Sequence, residues 1–317
     1  MRRQGEGCTL KAEITVVGAV NLDIGGTASA ALRMGDSNPG SVRLSPGGVG
    51  RNIAHDLTKL GVHTELLTAF GGDALAETAL RFCTDAGICV DHARSVPEGK
   101  TSVYLYLCAP DGEMQTAVND MSLCEAITPD YLAGCLPVIN ASSLLIADAN
   151  LPAESLRFLA ENARVPVFAD PVSAAKAEKL RPILGRLHTL KPNRMEAELL
   201  SGVEIRDGDS LKKAAEALLD TGLRRVFISL GAEGVFAASN TESCLVPALP
   251  AQVRNVTGAG DACMAALGWA FLRGLSLRAS ALAGNAAACF ALESTETVSA
   301  ALSEAALLAK MNAEEAT

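Results

Sequence analysis

Short β-branched and aliphatic runs alternate along this chain with longer stretches whose apolar positions recur every three to four residues. Residues 14–17 (Ile-Thr-Val-Val) read as a strand, and 50–60 as a helix with Ile53, Ala54, Leu57 and Leu60 on one face. The rhythm repeats as strand 66–70 with helix 74–86, strand 144–147 with helix 154–162, strand 167–169 with helix 177–184, and strand 189–190 with helix 194–200. Strand 226–229 leads into a hairpin through 235–238 and 244–246, and helices at 262–273, 277–292 and 300–311 close the chain. Such alternation predicts an α/β fold with a mostly parallel central sheet and helices on both faces.

Two stretches break the rhythm. Residues 25–45 are rich in Gly, Ser, Asn and Pro and offer no helix, while 101–118 read as paired strands around a turn at Pro110-Asp111-Gly112. Ser102, Tyr104, Tyr106 and Cys108 alternate with Val103, Leu105 and Leu107, so the two sets lie on opposite faces. Segments 24–45 and 99–121 are therefore expected to form a small projecting β-sheet, a lid on a single domain over 14–317, behind an N-terminal tail of residues 1–13.

Composition narrows the function. The chain has 317 residues, 49% of them hydrophobic and 20% charged, enough for a substantial core. A net charge of −9, no Lys/Arg stripe and only 4% aromatics argue against a nucleic-acid partner. No apolar run reaches the ~18 residues that span a bilayer, and residues 1–7 lack the apolar centre of a signal peptide. No membrane partner is expected, and the cytoplasm is the expected location. The nine cysteines are odd in number, contain no C-x-x-C and sit partly in apolar runs, which fits buried thiols in a reducing compartment. His55, His63, His92 and His188 show no ligand spacing, so no structural zinc is expected.

The strongest chemical signal is Asn255-Val256-Thr257-Gly258-Ala259-Gly260-Asp261, running into an apolar helical stretch. Its glycines let successive N–H groups converge, and the helix adds its positive end, so an anion is the natural guest. A carboxylate in the mouth of an anion site is electrostatically awkward unless it takes a proton from the group that attacks the anion. That pairing suits phosphoryl transfer to a hydroxyl. On these residues alone, a plain helix start with an Asp near the N-cap is the competing reading.

The familiar phosphate motifs fail. Gly99-Lys100-Thr101 lacks the upstream glycine of a P-loop, with Arg94 in its place, and enters a strand. Gly48-Val49-Gly50 lacks the third glycine of a dinucleotide fingerprint, with Ile53 in its place, which counts against an NAD-dependent oxidoreductase.

The chain resembles the ribokinase-like (PfkB-type) carbohydrate kinase family. The resemblance rests on Ser45-Pro46-Gly47-Gly48-Val49-Gly50-Arg51-Asn52 and on Val256–Asp261, with Asn193-Arg194-Met195-Glu196 and Ser229-Leu230-Gly231-Ala232-Glu233-Gly234 between them. It extends from about Ile14 to the end. It implies a three-layer α/β sandwich with a β-sheet lid, and an ATP-dependent kinase assisted by Mg²⁺. Asp36-Ser37-Asn38-Pro39-Gly40, the Gly47–Asn52 segment with its Arg51, Val118-Asn119-Asp120-Met121, Asp170-Pro171-Val172-Ser173 and Leu190-Lys191-Pro192-Asn193-Arg194 are similar to the branch that phosphorylates the 5′-hydroxyl of pseudouridine. A ribokinase or another nucleoside kinase, and a non-catalytic nucleoside or sugar sensor, are the alternatives.

Residue roles follow from that resemblance. Asp261 matches the general base, with the Gly258, Ala259 and Gly260 amides as the anion hole and Thr257 beside the nucleotide. Asn21 and Asp23 end the first strand, and Asp23 matches a carboxylate that accepts from ribose hydroxyls; a strand-ending Asx-turn is the plainer alternative. Asn52 joins it on the ribose, while Gly47 and Gly48 allow close backbone approach. Asn193 and Glu196 are assigned to the water shell of Mg²⁺ and the ATP phosphates, though their spacing also makes a capping box. Ser229, Gly231 and Gly234 match the loop along the nucleotide, and Asn285 the adenine region, an Ala-rich core helix being equally consistent for the last. Asn119 would read the base edge, with Tyr104 or Tyr106 as an apolar wall or as packing within the lid. A small-molecule nucleoside is the expected partner, with a homodimer formed through the lid. Asn255 stands where many relatives carry an Asp that helps bind a monovalent cation, which leaves that dependence open.

Overall fold

The computed structural model describes residues 11–315; the expected tail therefore lies mostly outside the described residues. The first half of the chain runs β1 (Ile14–Val17), β2 (Asn21–Ala28), β3 (Gly40–Gly47), α1 (Val49–Lys59), β4 (Thr64–Leu67), β5 (Ala69–Phe70), α2 (Ala76–Asp85), β6 (Arg94–Ser95), β7 (Val103–Cys108) and β8 (Met114–Asp120). Next come α3 (Pro129–Ala141), β9 (Leu144–Asp148), α4 (Ala153–Asn162), β10 (Val167–Asp170), α5 (Ala174–Ala177), β11 (Thr189–Leu190), α6 (Arg194–Ser201) and α7 (Gly208–Leu219). The hairpin strands β12 (Arg225–Ser229), β13 (Val235–Ser239) and β14 (Ser243–Val246) precede α8 (Ala259–Leu272), α9 (Leu277–Leu292) and α10 (Glu304–Glu315).

Eight strands form the central sheet in the order β14-β13-β12-β11-β10-β9-β1-β4. It is parallel from β12 to β4, and the hairpin adds two antiparallel strands at one edge. Its central strands are apolar on both faces because both are covered. Ile14 and Val16 of β1 and Leu144 and Ile146 of β9 pack with α1, α2, α8, α9 and α10. Val17, Leu145 and Ala147 pack on the other side with α3, α4, α6 and α7. Each fully buried Leu or Ile here contributes about 1.5–3 kcal/mol of transfer free energy.

A separate four-stranded sheet, β3-β2-β7-β8, is built from residues 21–47 and 103–120. Residues facing each other across paired strands share a side. One side therefore carries the row Ser45, Asp23, Tyr104, Asn119, and the opposite side the row Leu44, Ile24, Leu105, Val118.

The structure departs from the pattern-based expectation at five elements. The strand expected over 66–70 is two strands, because the chain leaves the central sheet after Leu67 and pairs β5 with β6. The helix expected over 177–184 is mostly a 3₁₀ turn, Glu178–Arg186, with Pro182 inside it lacking the N–H of an α-helical ladder. The last helix starts at Glu304, not 300, because Ser303 Oγ accepts from Ala306 N at 3.2 Å. Helices α3 and α7 were not expected. Two prolines, Pro129 and Pro137, obscure α3, and α7 hides its start behind Gly208.

Candidate active site

The carboxyl ends of β1, β9, β10, β11 and β12 open onto one side of the central sheet, and there the chain carries Gly18-Ala19, Asp148, Asp170, Lys191 and Ser229. Ligands of open parallel sheets gather at such an edge. The two glycine motifs converge on it from opposite ends of the sequence.

The first motif links β3 to α1. Gly48 has φ +99°, and a Cβ there would lie 2.3 Å from the Ala19 carbonyl oxygen. Gly47 lies against the end of β2, where a Cβ would sit 2.5 Å from Asp23 Oδ1 and 2.6 Å from Asn21 Nδ2. Asn21 Nδ2 donates to Asp23 Oδ1 at 2.6 Å. Asn21, Asp23 and Gly47 are thus one compact group. Burial raises the Asp23 pKa, opposed by the Asn21 hydrogen bond and the Arg51 cation.

The second motif starts α8. Gly258 is the N-cap residue with φ +87°, and no side chain caps this helix. A Cβ at Gly258 would lie 2.1 Å from the Thr297 carbonyl oxygen, so only glycine fits the turn. The first intrahelical bond there is Ala262 N to Gly258 O at 2.9 Å, which leaves the amides of Ala259, Gly260 and Asp261 outside the ladder. Thr257 N, just before the turn, donates to Asn255 Oδ1 at 3.0 Å.

Asp261 joins the two motifs: its Oδ2 accepts from Asn52 Nδ2 of α1 at 2.7 Å. The side chain is only partly exposed. Burial pushes its pKa up to about 7, reinforced by the Asp170 and Asp148 carboxylates and opposed by the Asn52 hydrogen bond and Lys191. A carboxyl poised near neutrality beside unpaired amides can accept a proton from a hydroxyl. In this arrangement Asn52 supports Asp261, a contact the ribose role did not include.

Asn193 and Glu196 do form a capping box, with Glu196 N donating to Asn193 Oδ1 and Asn193 N donating to Glu196 Oε2, both at 2.9 Å. Burial raises the Glu196 pKa, opposed by the Asn193 amide. Asn193 bridges to Ser229 at the end of β12, so these two residues are adjacent. Gly231 opens the following turn at φ +61°, and Gly234 at φ +102° closes it against residues 246–248. Asn285 donates to the Pro247 carbonyl at 2.5 Å. Its amide braces the same 246–248 segment from α9. Asn119 lies farther out, exposed on β8, in the same row as Asp23.

Three charged residues at this edge were given no role by the sequence. Asp148 accepts at Oδ2 from Ala19 N (2.9 Å) and Gly50 N (2.8 Å), and at Oδ1 from Asn150 N (2.8 Å), fastening β1, α1 and β9 together. Lys191 and Asp170 form a buried ion pair at 3.2 Å, each 5% exposed. Burial pulls the Lys191 ammonium down, but Asp170 and neighbouring carboxylates outweigh it and hold the pKa above its ordinary value. Lys191 Nζ is 3.4 Å from where a Gly260 Cβ would lie, so a fixed cation stands at the anion hole. Asp170 Oδ1 also accepts from Val172 N at 2.9 Å, and Val172 is held at φ +67°, a strained conformation for a β-branched residue. Charged residues at consecutive strand ends were the available signal.

The lid sheet meets this edge through an ion pair between Arg43 of β3 and Glu296, one residue from Thr297 over Gly258. Both side chains are half-exposed, so the pair is worth at most about 1 kcal/mol. Among the described residues, no group of three or more His, Cys, Asp or Glu could hold a metal, and no helix is long and apolar enough to cross a membrane.

Comparison with known proteins identifies the family and the fold. Residues 11–305 match the model of the pfkB family carbohydrate kinases. A pseudouridine kinase of Escherichia coli (strain K12) is 41% identical over 264 residues, 83% of this chain and 84% of that protein. A carbohydrate kinase from Agrobacterium tumefaciens is 33% identical and superposes with a TM-score of 0.84 over 94% of this chain and 96% of its own. An Arabidopsis thaliana ribokinase complexed with ribose and ATP shares the fold, with a TM-score of 0.84 at 22% identity over 95% and 99% of the two chains. The chain belongs to the pfkB family of carbohydrate kinases.

Proposed function

We propose that the protein transfers the γ-phosphoryl group of ATP to the 5′-hydroxyl of pseudouridine. The observation that carries the kinase reading is Asp261, held by Asn52 beside the uncapped amides of α8 and within one compact edge with Asp23. The choice of nucleoside is supported by the 41% identity to the E. coli pseudouridine kinase.

Asp23 accepts from the ribose hydroxyls and Asn21 orients it. The 5′-oxygen attacks the γ-phosphorus, the bond to the bridging oxygen breaks, ADP leaves, and Asp261 takes the hydroxyl proton. Amides of Gly258, Ala259 and Gly260, with Lys191 beside them, balance the charge on the phosphoryl oxygens. Ser229, Gly231, Gly234 and Thr257 border the nucleotide. Mg²⁺ would neutralise phosphate charge; Asn193 and the buried carboxylate of Glu196 fit a cation held mostly by water and phosphate. Asn119, Tyr104 and Asp23 share one face of the lid sheet, which suits Asn119 to the base edge. The buried thiols of Cys83, Cys108, Cys124, Cys135, Cys263 and Cys289 fit a cytoplasmic location.

The deciding experiment is ADP release across pseudouridine, uridine, adenosine and ribose. Pseudouridine is expected to give the highest kcat/KM; preference for ribose or adenosine would reassign the substrate.

The outer face of the lid sheet exposes Val42 (78%), Val118 (69%), Leu44 and Leu105 in adjacent rows. An apolar sheet face of this kind invites a second copy of the chain. The wild type is expected to sediment as a dimer, and Val42→Asp with Leu105→Lys as a monomer with an unchanged circular dichroism spectrum. A monomeric wild type would contradict this assignment.

A further inference from the structure

Arg51 is among the largest fully buried side chains, at 2% exposure, yet none of the roles above employs it. Among the described residues, its guanidinium bonds only to neutral acceptors. Nη2 donates to the Pro46 carbonyl at 2.7 Å and to Asn52 Oδ1, Nε to the Gly47 carbonyl at 3.4 Å, and Nη1 lies 3.3 Å from His55 Nδ1. Burial and the Arg51 cation push His55 down to about 4, so at neutral pH the imidazole is uncharged and can accept at Nδ1. Burying a cation without a directly bonded carboxylate is unfavourable, so its presence there points to work done elsewhere.

That work is visible one residue along the helix. A side-chain amide presents an oxygen that only accepts and a nitrogen that only donates. Asn52 Oδ1 faces the Arg51 guanidinium, and Asn52 Nδ2 faces Asp261 Oδ2 at 2.7 Å. Rotating the amide by half a turn would set donor against donor at Arg51 and acceptor against carboxylate at Asp261. We propose that Arg51 is a positioning residue that fixes the Asn52 amide so that it donates to one oxygen of Asp261 and leaves the other free for the substrate proton. The same guanidinium holds the Pro46 and Gly47 carbonyls, so the turn against Asn21 and Asp23 and the orientation of the base are set by one group. This role rests on Asp261 being the base, and it identifies Asn52 as the link.

The test is a double-mutant cycle of Arg51→Met and Asn52→Ala with ATP and pseudouridine. Arg51→Met is expected to lower kcat roughly ten- to a hundredfold, the worth of one charge-assisted hydrogen bond. The KM for ATP should stay within about threefold, because the nucleotide side is untouched. In the Asn52→Ala background the same substitution should cost less than about threefold, since the group it orients is gone. Equal losses in both backgrounds, or a wild-type kcat in Arg51→Met, would overturn the role. If Arg51→Met does not fold, Arg51→Leu, which likewise removes the donor, decides in the same cycle by the same criterion. Asp261→Asn run in parallel separates the two claims: an active Asp261→Asn refutes the base, whereas an inactive one with an additive cycle refutes only the role of Arg51.

Discussion

Asp261→Asn is expected to lower kcat by about 10²–10⁴-fold, the range supplied by a positioned general base, while nucleoside affinity stays close to that of the wild type. The substitution keeps the volume and can keep an acceptor for Asn52 Nδ2, but the amide cannot take the 5′-hydroxyl proton. It also removes a carboxylate repelled by Asp170 and Asp148, so the fold should not suffer. Single-turnover phosphorylation together with calorimetric titration of pseudouridine separates chemistry from binding. Turnover near the wild-type rate would remove Asp261 from the mechanism. Weakened binding with an unchanged rate constant would instead make it a substrate ligand.

Much of this site was legible because its residues announce themselves locally. Gly258 and Gly260 around Ala259, followed at once by Asp261, describe a turn with free amides. The structure realises that turn with a left-handed Gly258 and an uncapped helix. The pairing of Asn193 with Glu196 was equally local, and the capping box is present. Alternation in 101–118 identified paired strands because a sheet covered on one side repeats every two residues. What stayed hidden depends on contacts across long sequence separations. Asp148 reaches Gly50 over 98 positions and Ala19 over 129, and no spacing rule encodes either. Arg51 was visible only as part of the Gly47–Asn52 motif, since nothing local says that its charge ends among backbone carbonyls. The two missed helices have different causes. In α3 two prolines interrupt the helical pattern, although Pro129 occupies the first turn, where its missing N–H is harmless. In α7 the signal was present and unused, because Asp207 and Ser210 form a reciprocal cap at its start.

Activity should also follow the protonation of one carboxyl. With the Asp261 pKa near 7, kcat/KM is expected to be flat above neutrality and to fall about tenfold per pH unit below it, reaching roughly a hundredfold loss by pH 5. Stability must move in the opposite sense. The folded-state pKa lies above the ordinary value of 3.8, so between about 4 and 7 the native state holds a proton that the unfolded chain has released. The contribution of this group is then fully present below about pH 4 and is lost as pH rises through 7. Asn at position 261 has no such proton to lose. Wild type and Asp261→Asn should therefore melt together at pH 4, and the variant should melt higher at pH 8. A wild type that melts higher than the variant at pH 8 would mean that the carboxylate is stabilised in the fold, its pKa depressed and its acid limb near pH 4. Catalysis and stability then draw on the same burial: the environment that makes the ionised carboxylate unfavourable in the resting fold is the one that makes it basic enough to take the proton.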